Sequence, residues 1–169
     1  IYFTTGDHFI LDSLIGWAKD DALDAGTGGL GSMTVSNSWI ESNFHEGMAW
    51  SGDNGRTVNV GHTVVMNCGQ GIEAGFGKPI VNAGELLSLG NLTGARFGDN
   101  YDWTYAGFLR VTNSILLHNF RDVWGQTWTP GAWTNELDQM DIQGNQLTAA
   151  NPLYPRNAVW DPSSQGDSL

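Results

Sequence analysis

One cysteine, Cys68, occurs in 169 residues, so the chain builds neither a disulfide framework nor a cysteine-based zinc site. Lysine and arginine together number 7 against 18 acids, a formal net charge of −11. A surface of that sign repels phosphate backbones and anionic headgroups, which argues against nucleic acid as a partner. No apolar run approaches the ~20 residues of a membrane helix, so no membrane insertion is expected. The sequence opens on Ile1-Tyr2-Phe3, strand-like and without an initiator Met, and shows no signal-peptide pattern. The chain therefore reads as a mature or excised part of a longer protein that lacks upstream coils, and the other segments of that parent chain are expected partners.

What is abundant is equally informative. Glycine numbers 23, close to twice the usual share of ~7%. Tryptophan numbers 8, more than lysine and arginine combined. Glycine and asparagine enter tight turns at low cost. A turn-dense, acidic, lysine-poor chain is expected to be secreted, at the cell surface or periplasmic.

The chain repeats itself. Thr34-Val-Ser-Asn-Ser-Trp-Ile-Glu-Ser-Asn43, Asn59-Val-Gly-His-Thr-Val-Val-Met-Asn67 and Leu109-Arg-Val-Thr-Asn-Ser-Ile-Leu-Leu-His-Asn119 are copies of one pattern. Each is followed by a small or polar residue and an apolar one, as in Gly47-Met48, Gly71-Ile72 and Asp122-Val123. Weaker copies start at Phe9, Gly84 and Met140. The apolar members Leu23, Met48, Ile72, Ala95 and Val123 are 25, 24, 23 and 28 residues apart. That period suits one coil of a solenoid. Short alternating runs broken by Asn and Gly read as strands and turns. The expected fold is all-β, a parallel β-helix of about five to six coils over 1–150, with a turn-rich tail over 151–169. The pattern resembles the right-handed parallel β-helix of pectin-degrading, pectate-lyase-like enzymes.

Stacking the coils turns sequence positions into columns. If Leu23, Met48, Ile72, Ala95 and Val123 point inward, two columns are expected to point out. One is Asp24, Ala49, Glu73, Arg96 and Trp124; the other is Asp21, Glu46, Gln70, Thr93 and Arg121. Segments 98–107 and 125–134 lengthen their coils and read as loops that wall one groove, lined by Trp103 and Trp128.

The densest local signal is Lys19-Asp20-Asp21-Ala22-Leu23-Asp24. Clustered carboxylates repel one another unless a cation sits among them. Hard oxygen donors favour Ca²⁺, which takes six to eight at ~2.4 Å, and Glu46 stands one coil above Asp21. The expected metal ligands are Asp20, Asp21, Asp24 and Glu46; an acidic, solvated turn is the plainer reading. The run Asp-Asp-x-x-Asp resembles the calcium motif of family nine pectate lyases and of spore-coat-associated β-helix domains. That resemblance implies Ca²⁺ bridging a uronate while a lysine on the next coil removes the adjacent proton. The matching run here, Gly47-Met-Ala-Trp-Ser-Gly52, has Ala49 at the lysine position. His45, Arg56 and Lys19 are the substitutes within reach in sequence.

Two other chemistries compete. Paired carboxyls, Asp24 or Glu46 with Glu73, suit acid-catalysed glycoside cleavage. The aromatic set exceeds what a narrow coil interior holds, so Trp50, Trp103, Trp124 and Trp128, with Glu73 and Arg96, are expected to contact a polysaccharide or glycan. The expectation is a carbohydrate-active protein, a Ca²⁺-dependent uronate lyase first. The alternative is a non-catalytic glycan-binding, structural or adhesin module with a structural metal.

Overall fold

The computed structural model describes residues 1–26, 30–101, 103–135 and 139–148, without the side chains of Trp128, Thr129, Trp133 and Asn135. Strands follow one another in chain order: β1 (His8–Leu11), β2 (Leu14–Gly16), β3 (Leu23–Ala25), β4 (Ser32–Ser36), β5 (Trp39–Glu41), β6 (Glu46–Gly52), β7 (Thr57–Met66) and β8 (Gln70–Gly77). There follow β9 (Ile80–Leu89), β10 (Thr93–Phe97), β11 (Phe108–Thr112), β12 (Ile115–Leu117), β13 (Arg121–Thr129), β14 (Ala132–Asn135), β15 (Met140–Asp141) and β16 (Gln146–Leu147). Among the described residues there is no α-helix. One sheet runs β1-β4-β7-β9-β11-β15, with β2, β5, β12 and β16 beside it; the other runs β3-β6-β8-β10-β13-β14. All pairings are parallel except β13 with β14. The result is a parallel β-solenoid of about five turns. The expected tail, 151–169, lies outside the described residues.

The repeat sets the register. Leu23 pairs Met48, Met48 pairs Ile72, Ile72 pairs Ala95 and Ala95 pairs Val123. The first four of these five residues are fully buried and Val123 is 6% exposed. Two positions further on, Ala25, Trp50, Ala74, Phe97 and Gly125 form the next inward column. Small and large residues alternate along it, so each large ring packs over a small neighbour instead of another ring.

Corners explain the asparagines. At one corner of successive coils Asp12, Asn37, His62, Glu85 and Asn113 have φ between 48° and 54°. At another, Trp17, Ser42, Asn67 and His118 share that left-handed conformation, and Gly90 joins them. Asn, Asp and His tolerate it better than most residues, because their short polar groups bond locally.

One expected loop is not a loop. Segment 125–134 continues β13 and turns back as β14, with Gln126 opposite Asn135 and Thr129 opposite Ala132. Its Thr/Trp alternation is that of strands, and pairing satisfies the backbone of the outermost coil.

Candidate functional site

The outer face of β3, β6, β8 and β10 carries the chemistry. Asp24, Ala49, Glu73, Arg96 and Trp124 stack in register, as the columns require. Segment 98–107, Asp102 aside, leaves the coil and folds back across this face. Trp103 Nε1 donates to Asp53 Oδ1 at 3.1 Å, and the Thr104 carbonyl accepts from the Gly77 N–H at 2.6 Å. Phe76 packs against Tyr101 and Trp103, with ring centroids 5.9 and 5.2 Å away. Between this fold-back and the first coils lies a cleft of about 550 Å³.

Six carboxyls line it: Asp20, Asp21, Asp24, Glu46, Glu73 and Asp99, with His45 among them. Tyr2, Phe76, Tyr101 and Trp103 supply aromatic surface, and Ala49 and Ser51 leave the floor low. His45 Nδ1 is 3.1 Å from Asp21 Oδ1, 3.6 Å from Asp20 Oδ1, and in short contact with Glu46 Oε2. Glu46 is buried and also accepts a hydrogen bond from Gln70 Nε2. Behind the floor, Arg96 reaches Glu73 at 3.3 Å and Asn100 at 2.9 Å. Its guanidinium lies 4.5 Å from the Trp124 ring, which also carries Arg121 at 4.5 Å.

The carboxyls are driven apart in acidity. Burial raises Asp24 to about 6, helped by the charges of Asp21 and Asp20. Burial raises Glu46 to about 7, against the pull of its bond with His45. Burial pushes Glu73 well up, although Arg96 opposes it, and also raises Asp99. Burial acts upward on Asp21 too, but bonds from His45 and Glu46 outweigh it and hold that carboxyl well below its usual range. Bonds to Asp21 and Glu46 lift His45 to about 10, so its ring is an imidazolium at neutral pH.

The sequence brings together Asp20, Asp21, Asp24, His45, Glu46, Glu73 and Trp103 at the cleft. Arg96 stands behind it. Trp50 is a correction: it is fully buried, its ring in the inward column between Ala25 and Ala74, and so offers no face to a sugar. Arg56 is another correction: it is buried away from the cleft, bonded through Nη2 to the Thr4 carbonyl. Lys19 is exposed and does not line the cleft, and Trp124 is buried against two guanidiniums. The Trp128 side chain lies outside the described residues; none of the described residues of 125–134 lines the cleft, so the two segments do not wall one groove. Sequence reasoning missed Asp99, Phe76 and Tyr2. Asp99 and Tyr101 flank Asn100 in one polar run; Phe76 had only its place four residues after Ile72 to mark it.

Asp20, Asp21 and His45 form the one group of potential metal-binding side chains among the described residues, with donor atoms within 4.8 Å. An ion among these acids would have to displace the His45 ring, whose Nδ1 lies against Asp20, Asp21 and Glu46. His45 thus already supplies a counter-charge to Asp20, Asp21 and Glu46, whereas Ca²⁺ takes oxygen donors. Comparison with known proteins finds no match: no family model, no curated protein and no solved structure matches the chain.

Proposed function

We propose that this β-solenoid is a secreted carbohydrate-active protein whose cleft cleaves a glycan by acid–base catalysis between carboxyls. The observation that supports this most is a pair of carboxyls lifted by burial in one cleft, Asp24 to about 6 and Glu46 to about 7, with Phe76, Tyr101 and Trp103 lining the same cleft. Carboxyls lifted toward neutral pH are matched to acid and base work near that pH. Glu46, protonated at mild acidity, gives its proton to the glycosidic oxygen. Asp24, ionised above about pH 6, deprotonates the attacking water. The Asp21–His45 pair holds the Glu46 carboxyl in place. Aromatic faces take the sugar rings through their C–H surfaces. A surface of carboxylates favours neutral or basic sugars over uronates. The test is incubation with a panel of neutral, amino-sugar and uronate polysaccharides, reading new reducing ends. Release that Glu46→Gln abolishes supports the reading; binding without release leaves a glycan-binding module.

A uronate lyase is the second reading, favoured by the Asp20–Asp21–His45 group. It lacks a free base: Ala49 stands where the resemblance places lysine, and His45 holds its proton to about pH 10. Unsaturated uronates that appear only with Ca²⁺ would establish it instead.

A further inference from the structure

Arg56 is 2% exposed, yet among the described residues it forms no salt bridge with a carboxylate. Its Nη2 bonds the Thr4 carbonyl, while Nε and Nη1 are buried with no hydrogen-bond partner. Two further buried polar atoms without partners lie under the same N-terminal stretch. Trp50 Nε1 is one and His8 Nε2 is the other. Phe3 joins them, its ring 5.2 Å from the His8 ring and 6.4 Å from the Trp50 ring. A buried guanidinium without a counter-charge is among the most costly arrangements in a protein interior, and a buried N–H without an acceptor adds to it. Four donor or ring-nitrogen positions of this kind, packed about Phe3 and Thr4, suit a shared acceptor.

We propose that Arg56, with the Trp50 indole N–H and His8, forms a buried site for a compact monovalent anion of chloride or formate size beneath Phe3. The guanidinium supplies the charge and two N–H groups, the indole supplies a third, and the aromatic rings keep water out. The fork geometry suits a carboxylate-like anion held by two parallel bonds. The site is separate from the carboxyl cleft, since Arg56, Trp50 and His8 do not line it. It gives Arg56 a role in holding the first coils rather than in cleavage.

The test uses the full chain, ¹⁵N-labelled, in a buffer whose only anion is bulky gluconate. Chloride or formate is titrated at constant ionic strength, and the Trp50 indole cross-peak, assigned by its loss in Trp50→Phe, is followed. A saturable shift of that peak, with the surface indoles unmoved, is expected. Arg56→Lys keeps the charge but not the fork, and is expected to weaken half-saturation about tenfold. Should that variant not fold, bromide soaked into wild-type crystals gives an anomalous peak within bonding distance of the Arg56 guanidinium. A Trp50 peak indifferent to both anions, or no bromide density at Arg56, overturns the proposal and assigns the donors to water.

Discussion

His45 Nδ1 stands 3.1 Å from Asp21 Oδ1, and that same oxygen accepts the Glu46 backbone N–H at 3.0 Å. One carboxylate thus fixes both the ring and the strand start that carries Glu46. His45→Gln removes the cation and leaves the buried Glu46 carboxyl short of a partner, an expected loss of about 1–3 kcal/mol in chemical denaturation. Ca²⁺ is then free to take the vacated place among the acids. The melting temperature of His45→Gln should rise with Ca²⁺ while that of the wild type stays unchanged. Equal responses in the two proteins would refute the idea that His45 is the resident counter-charge.

Stability should peak at acid pH. His45 is raised to about 10 when folded, so its contribution is complete below its unfolded value near 6.5 and is lost between about 6.5 and 10. Asp24 and Glu46 are raised to about 6 and 7, so their ionisation opposes folding as pH climbs from about 4 to 7. Asp21 works the other way: its lowered value stabilises the fold above its unfolded value near 3.9 and is lost as pH falls below it. Thermal melts across pH should therefore be highest near about pH 5 and decline steadily toward pH 10. A maximum above pH 7 would mean that the carboxyl cluster is not desolvated.

Cleavage, once a substrate is found, should follow a narrow bell. The acid limb lies near pH 6, where Asp24 loses its proton, and the alkaline limb near pH 7, where Glu46 loses its own. Asp24→Asn and Glu46→Gln should each lower kcat by roughly 10²–10⁴ and remove the matching limb. Trp103→Ala should raise KM with little change in kcat, because it acts on binding alone. If Trp103→Ala leaves KM untouched, the aromatic wall is not a sugar platform.

The register was legible because Leu23, Met48, Ile72, Ala95 and Val123 recur at nearly one period and each follows a small or polar residue. Trp50 shows the limit. It lies two residues after Met48, so strand parity already directed it inward. The excess of tryptophan over what a narrow core holds argued the opposite, and only the alternation Ala25, Trp50, Ala74, Phe97 shows how the core finds room. The acidic side of the cleft was legible from Asp20-Asp21 and Asp24 beside Glu46. The aromatic side was not, because it depends on how segment 98–107 folds back onto Asp53 and Gly77, a long-range contact without periodicity. His45 was found by adjacency to Glu46, but its role as counter-ion needed the geometry.

The same column offers a packing test. Trp50→Ala should cost about 3–5 kcal/mol, since neither Ala25 nor Ala74 can fill the space left. Ala74→Leu should also destabilise, because it sets a large side chain between Trp50 and Phe97. Combining Trp50→Ala with Ala74→Leu should recover part of the loss, as volume moves one coil along the column. Additive costs in the double variant would show that the two positions do not share one space.

A ladder of side chains runs up one corner of the coils. Asn119 Oδ1 accepts the Asn91 backbone N–H at 2.9 Å, and Asn91 Oδ1 accepts the Cys68 backbone N–H at 2.9 Å. Below, Asn43 Oδ1 accepts the Ala18 backbone N–H at 2.9 Å, while its amide meets Cys68 Sγ at 3.5 Å. Cys68 thus occupies an asparagine rung with a weaker acceptor, and burial raises its thiol so that it stays protonated. Asn91→Ala breaks the chain within the interior, leaves buried N–H groups unpaired and should cost about 1–3 kcal/mol. Cys68→Asn should instead stabilise, by about 0.5–1.5 kcal/mol, because an amide oxygen there accepts the Asn43 amide more strongly than sulfur does. Denaturant midpoints at constant m decide it. A Cys68→Asn protein less stable than wild type would show that the thiol is held there by packing against Gly47, whose α-carbon leaves Sγ its room, and not by the hydrogen-bond column.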